Sequence, residues 1–169
     1  MKKVCVVGAG RWGLNHIKTL HKLDALGGIV ESNVEVLDSL KTAYPNVQCF
    51  NNLSDALHED FDGYTVATPA PTHFAIAKQI IESGKHVLVE KPITLNSNEA
   101  KILADLAREN DVNLMVGHVL LFHPAFNKIK SLLEDGSLGD LQYMYSNRLN
   151  LGTIRTEENV FWSFAPHDI

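Results

Sequence analysis

Val4-Cys5-Val6-Val7-Gly8-Ala9-Gly10-Arg11-Trp12-Gly13 decides how this chain folds. A short β-branched apolar run enters a glycine turn, and helical spacing follows at Leu14, Ile17 and Leu20. Strand, tight loop and helix are expected in that order, with Gly8, Gly10 and Gly13 at the G-x-G-x-x-G positions. The first glycine makes the turn, the second lets backbone approach a pyrophosphate, and the third lets the helix lie close on the strand. Backbone N–H groups at the head of that helix, from Arg11 and Trp12 onward, favour negative charge. Residues 25–30 read as the second strand and deliver Glu31 at its end, about 20 residues beyond the glycine loop, where a carboxylate meets ribose hydroxyls. A carboxylate there accepts from both hydroxyls and repels a 2′-phosphate, which argues for NAD over NADP. The competing role for Glu31 is a helix cap, but Ser32 and Glu35 form a Ser-x-x-Glu capping box for the next helix.

Short apolar runs and helical segments then alternate. Strands are predicted at 47–50, 64–67, 86–89 and 113–117, and helices at 34–43, after His73, and at 97–110. Ser54 is placed as the cap of a short helix ending at His58. This alternation predicts an α/β fold, a doubly wound parallel sheet with helices on both faces. The fourth strand ends in Thr68-Pro69-Ala70-Pro71-Thr72-His73, a rigid loop from which Thr68, Pro69 and His73 are expected to reach the cofactor. The fifth ends in Glu90-Lys91-Pro92.

Composition excludes several classes of protein. Apolar residues make up 45% of the 169 and charged residues 21%, proportions of a folded domain. The net charge of −5 gives no support to a nucleic-acid partner. The longest apolar stretch, around Leu114 to Phe122, is short and broken by Gly117 and His118, so no membrane span is expected. Two cysteines, Cys5 and Cys49, read as core residues of a reducing, cytoplasmic compartment. No Cys/His grouping has zinc spacing, and no metal is expected.

From about residue 120 the pattern changes. Pro124 opens a helix with Phe126, Ile129 and Leu133 on one face. Residues 140–150 alternate Leu141, Tyr143 and Tyr145 with Gln142, Met144 and Ser146, the period of a half-exposed antiparallel strand. Residues 1–119 are therefore expected to form the dinucleotide-binding domain, and residues 120–169 the incomplete start of a second domain.

Gly8-Ala9-Gly10, the Thr68-Pro69 loop, Glu90-Lys91-Pro92 and the late His167-Asp168 together resemble the glucose-fructose oxidoreductase, inositol dehydrogenase and MocA family. The resemblance covers the whole chain. It implies an NAD-binding Rossmann domain followed by an open-sheet domain that carries substrate contacts and makes a homo-oligomer when full length. Lys91 matches the family's main catalytic group. A lysine beside the hydroxyl being oxidised can hold the reacting oxygen and, with a lowered pKa, join proton transfer. The bland alternative is a surface lysine paired with Glu90. His167 matches the family's histidine and is the candidate acid/base, or else a helix cap. The aspartate that usually precedes it by four positions is Ser163 here. In a six-stranded Rossmann arrangement the end of the fifth strand, with Glu90 and Lys91, faces the nicotinamide side of the crevice, and His118, flanking the expected domain junction, is placed to touch substrate.

Residues 147–168 look similar to the branch acting on nucleotide sugars, the UDP-N-acetylglucosamine 3-dehydrogenases of surface-polysaccharide synthesis. The implied substrate is a nucleotide sugar, the reacting group the 3-hydroxyl of a UDP-N-acetylhexosamine. Arg148 and Arg155 would suit the diphosphate bidentately, or would pair with Glu157 or Glu158. The readings that compete with an active dehydrogenase are an NAD-binding sensor or fragment without turnover, and a redox-neutral sugar reaction.

Overall fold

A computed structural model describes residues 2–147. Six strands form one parallel sheet: β1 (Val4–Val7), β2 (Leu26–Val30), β3 (Gln48–Phe50), β4 (Gly63–Val66), β5 (His86–Val89) and β6 (Leu114–Val116). Their order across the sheet is β3-β2-β1-β4-β5-β6. The helices between them are α1 (Arg11–Lys22), α2 (Val34–Ala43), α3 (Leu53–Leu57), α4 (His73–Glu82) and α5 (Ser97–Glu109). A 3-10 turn at Ala70–Thr72, with Pro71 in its first positions, leads into α4. The strand order reverses between β1 and β4, and ligands of open α/β sheets bind beyond the carboxyl ends of the strands at that point.

The chain divides between Gly117 and His118 into two units. In the first, successive strand residues alternate between two apolar layers. Val6 and Ile29 pack with Ile17 of α1 and Leu40 of α2, whereas Cys5, Val7, Val66 and Val89 pack with Ala77 and Ile80 of α4 and Leu103 of α5. Both faces of the central strands are thus covered, so β1 is almost continuously apolar, as parallel strands are. Gly27 and Gly28 of β2 make room for Phe61: a Cβ on Gly28 would meet the ring at 2.6 Å and the Cys5 Sγ at 3.2 Å. Phe61 in turn meets Phe50 and Tyr64 edge-on.

Local caps differ from the sequence expectation in two places. Asn33, not Ser32, caps α2, its side chain accepting the Val36 N–H at 3.2 Å. Asn52, not Ser54, caps α3, accepting the Asp55 N–H at 2.9 Å. In each case the asparagine is the last residue with extended backbone, so its amide oxygen reaches the free N–H groups of the first turn.

In the second unit, α6 spans Pro124–Glu134, and His123 caps it by accepting the Ala125 N–H. The strand expected over 140–150 does not form across residues 141–147. Alternating pattern alone cannot make a strand: the ladder needs a neighbouring chain segment, and none pairs here among the described residues. Residues 148–150 lie outside the described residues.

Candidate functional site, a dinucleotide cleft

The glycine loop takes its shape from three different steric demands. Gly8 has φ of +91°, and a Cβ there would lie 2.8 Å from the Thr68 methyl. Gly13 sits so close under the loop that a Cβ would come within 1.9 Å of the Gly8 carbonyl oxygen. Gly10 is different: a Cβ on it would meet nothing within 4 Å. The protein's own packing asks for glycine at 8 and 13, but at 10 it leaves an open cradle facing the start of α1. That start has no side-chain cap and no acidic residue in its first turn. Free N–H groups beside an open cradle fit a pyrophosphate.

The cradle opens into a cleft of about 650 Å³ lined by residues of five segments, among them Gly8, Gly10, Glu31, Asn51, Thr68 and Pro69. Glu31 is held in place before any ligand arrives. One carboxylate oxygen accepts the Ala9 N–H at 2.8 Å and the other accepts the Asn33 N–H at 2.9 Å. The oxygen facing Ala9 keeps a lone pair for a further donor such as a ribose hydroxyl, while the other also has the Ser32 hydroxyl at 3.5 Å. Ser32, Asn51, Asn52 and Leu53 form the wall beyond Glu31, and Ile76 of α4 lines the cleft with Thr72. The sequence reading missed this wall. The Asn-Asn pair just past a short strand was its one available signal.

Arg11 and Trp12 occupy the exposed first turn of α1, with Trp12 46% exposed. His73 is buried, its ring nitrogens each 2.8 Å from a carbonyl oxygen, Nδ1 at Pro92 and Nε2 at Thr68. It does not line the cleft; it ties the Thr68-Pro69 loop to the turn after Lys91. Glu90 is also buried, and its carboxylate lies 2.7 Å from Nε2 of His16, a histidine of α1 that sequence gave no role. Lys91 stands half-buried immediately after it, at the carboxyl end of β5. His118 heads the 3-10 turn Val119–Phe122 in the second unit. Arg148, Arg155, Ser163 and His167 lie outside the described residues.

Among the described residues no group of three His, Cys, Asp or Glu side chains could hold a metal ion. No helix among them is long and apolar enough to cross a membrane.

A glycine loop on the first β-α turn, an anchored acid at the end of β2 and a crevice at the point of strand reversal define a dinucleotide-binding domain. Residues 2–118 match the oxidoreductase family with an NAD-binding Rossmann fold typified by glucose-fructose oxidoreductase, inositol dehydrogenase and MocA, and the chain belongs to that family. It is 33% identical over 149 residues to the UDP-N-acetylglucosamine 3-dehydrogenase of Acidithiobacillus ferrooxidans, covering 85% of this chain and 44% of that one. The chain thus spans about half the length of this curated relative. Among solved structures it resembles GenD2 from gentamicin A biosynthesis in complex with NAD, with a TM-score of 0.75 and 34% identity. That match covers 81% of this chain and 40% of GenD2. It also resembles the WlbA dehydrogenase of Bordetella pertussis in complex with NADH and UDP-GlcNAcA. There the TM-score is 0.76 and the identity 28%, over 82% of this chain and 44% of WlbA.

Proposed function

We propose that this chain carries the NAD-binding part of a nucleotide-sugar dehydrogenase that prefers NAD to NADP and oxidises a sugar ring hydroxyl, the 3-hydroxyl of a UDP-N-acetylhexosamine. The open cradle at Gly10, continuous with a cleft that ends at the anchored Glu31 carboxylate, is the observation that carries the cofactor half of this reading. The likeness to nucleotide-sugar dehydrogenases over more than four-fifths of the chain supports the substrate half.

Bound NAD supplies the hydride acceptor at nicotinamide C4. The Gly8–Gly13 loop and the α1 N-terminus would hold the pyrophosphate, Glu31 the adenosine ribose, and Thr68 and Pro69 the strand-reversal side of the cleft. Lys91 would hold the sugar oxygen and take part in moving its proton, with His167 as the partner acid/base. Arg148 and Arg155 would face the diphosphate. These assignments make Glu31 a specificity residue and Lys91 a residue of the chemical step.

The test is NADH formation, read at 340 nm, by the full-length protein with UDP-N-acetylglucosamine, beside myo-inositol and unphosphorylated sugars. Turnover confined to the nucleotide sugar is the expected result. Turnover with myo-inositol alone would move the protein to a polyol substrate.

A further inference from the structure

Two histidines from opposite faces of the sheet converge on the tripeptide Glu90-Lys91-Pro92. His16 belongs to α1, whose Ile17 packs in one apolar layer, and His73 belongs to α4, whose Ala77 and Ile80 pack in the other. His16 Nε2 lies 2.7 Å from the Glu90 carboxylate, and His73 Nδ1 lies 2.8 Å from the Pro92 carbonyl oxygen. The other nitrogen of His73 reaches the Thr68 carbonyl oxygen, so the same ring grips the loop that lines the cofactor cleft. A neutral imidazole can donate to one of those carbonyls and an imidazolium to both.

Glu90 keeps the sheet register, since its N–H donates to the Val66 carbonyl at 2.9 Å. Its side chain is nonetheless taken out of water against Gly117, where a Cβ would stand 3.2 Å from the carboxylate. Burying a carboxylate and an imidazole costs free energy that apolar side chains of similar size would not. Here both buried groups attach to the residues on either side of Lys91.

We propose that His16 and His73 are positioning residues that clamp the Glu90-Lys91-Pro92 turn, His16 through the Glu90 carboxylate and His73 through the Pro92 carbonyl, and so fix where the Lys91 amine stands. The proposal rests on the reading of Lys91 as the group that meets the reacting oxygen. A displacement of about 1 Å at such a group can cost on the order of 10²-fold in rate. Neither histidine need touch substrate or cofactor for this.

The experiment places ¹³C-methyl groups on the lysines of the full chain by reductive methylation, with Lys91→Arg identifying the Lys91 signal. The expected Lys91 signal stands apart from those of exposed lysines, and moves onto them in His16→Leu and in His73→Leu. His16→Gln, which keeps an N–H at the same reach, should restore it. NAD affinity should stay within about twofold in the His16 variants, whose contact is with Glu90 alone, while turnover falls up to about 10²-fold where the clamp is broken. A Lys91 signal unmoved in both leucine variants would overturn the proposal, as would one that moves in His16→Leu only together with loss of NAD binding. Should a leucine variant fail to fold, Glu90→Met, which removes the acceptor facing His16, and His73→Gln, which has no donor at the Nδ1 position facing Pro92, carry the same measurement. Normal turnover in Lys91→Ala would instead remove the catalytic reading of Lys91 while the signal still reports on the clamp.

Discussion

The Glu31 carboxylate accepts the Ala9 N–H at 2.8 Å, tying the end of β2 to the middle of the glycine loop. The residue that would read the ribose therefore also helps to shape the phosphate cradle. Glu31→Ala should weaken NAD binding by about 1–2 kcal/mol, the usual loss for a hydrogen bond to a charged acceptor. NADP binding should weaken less or improve, because the charge opposing a 2′-phosphate is gone. Calorimetric titration of both cofactors checks this, and tighter NADP than NAD binding in the unmutated protein would remove the assignment.

The loop glycines should separate into a folding pair and a binding one. Gly13→Ala forces a Cβ to within 1.9 Å of a backbone oxygen, and should cost about 3 kcal/mol or more because backbone must move. Gly10→Ala meets no protein atom within 4 Å and has φ of −66°, which alanine adopts freely. It should leave the unfolding midpoint nearly unchanged and weaken NAD by at least about tenfold. Chemical denaturation alongside NAD titration distinguishes the two; equal losses of stability would show that position 10 is a packing glycine.

Lys91→Ala in the full-length protein should lower kcat by about 10²–10⁴-fold, the range for general acid/base groups, with NAD affinity close to normal. Single-turnover and binding measurements together decide it. Near-normal turnover would return Lys91 to an ion-pairing lysine at a strand end.

Gly28→Ala pushes a methyl group into the Phe61 ring at 2.6 Å and should destabilise the first unit by about 1–3 kcal/mol. Shortening the ring in Gly28→Ala/Phe61→Leu should recover part of that loss, since residues in contact couple. Additive losses in denaturation experiments would mean the strain is relieved elsewhere.

Burial pushes the Cys5 thiol well above its ordinary range, with the nearby Cys49 adding in the same direction. Cys49 is raised as well by its partial burial, against the pull of Lys41. Because the thiolate is the nucleophile, both should resist alkylation in the native protein at pH 8. Half-buried Cys49 should react slowly and Cys5 only on unfolding, which mass spectrometry after iodoacetamide treatment would follow. Fast native labelling of Cys5 would mean that β1 opens readily.

What the sequence determined by itself was everything carried by short spacing. The G-x-G-x-x-G loop, the acid at the end of β2 and the period of each helix are local patterns, and the alternation of short apolar strands with helices implies a parallel sheet. The bounds of α2 were legible because cap residues precede it and Tyr44-Pro45 stops it. Caps were less legible: Ser32 and Asn33 both have cap chemistry, and only backbone geometry selects between them. Tertiary structure alone decided the rest. The sequence distance between His16 and Glu90 carries no spacing signal, because the contact exists only after β1, β4 and β5 lie side by side, and Asn51 and Thr68 come to line one cleft only once β3, β2, β1 and β4 are assembled. The alternating residues 141–147 show the converse. Their pattern offers a strand face, but a strand is a hydrogen-bonded pair, and among the described residues no segment pairs with them.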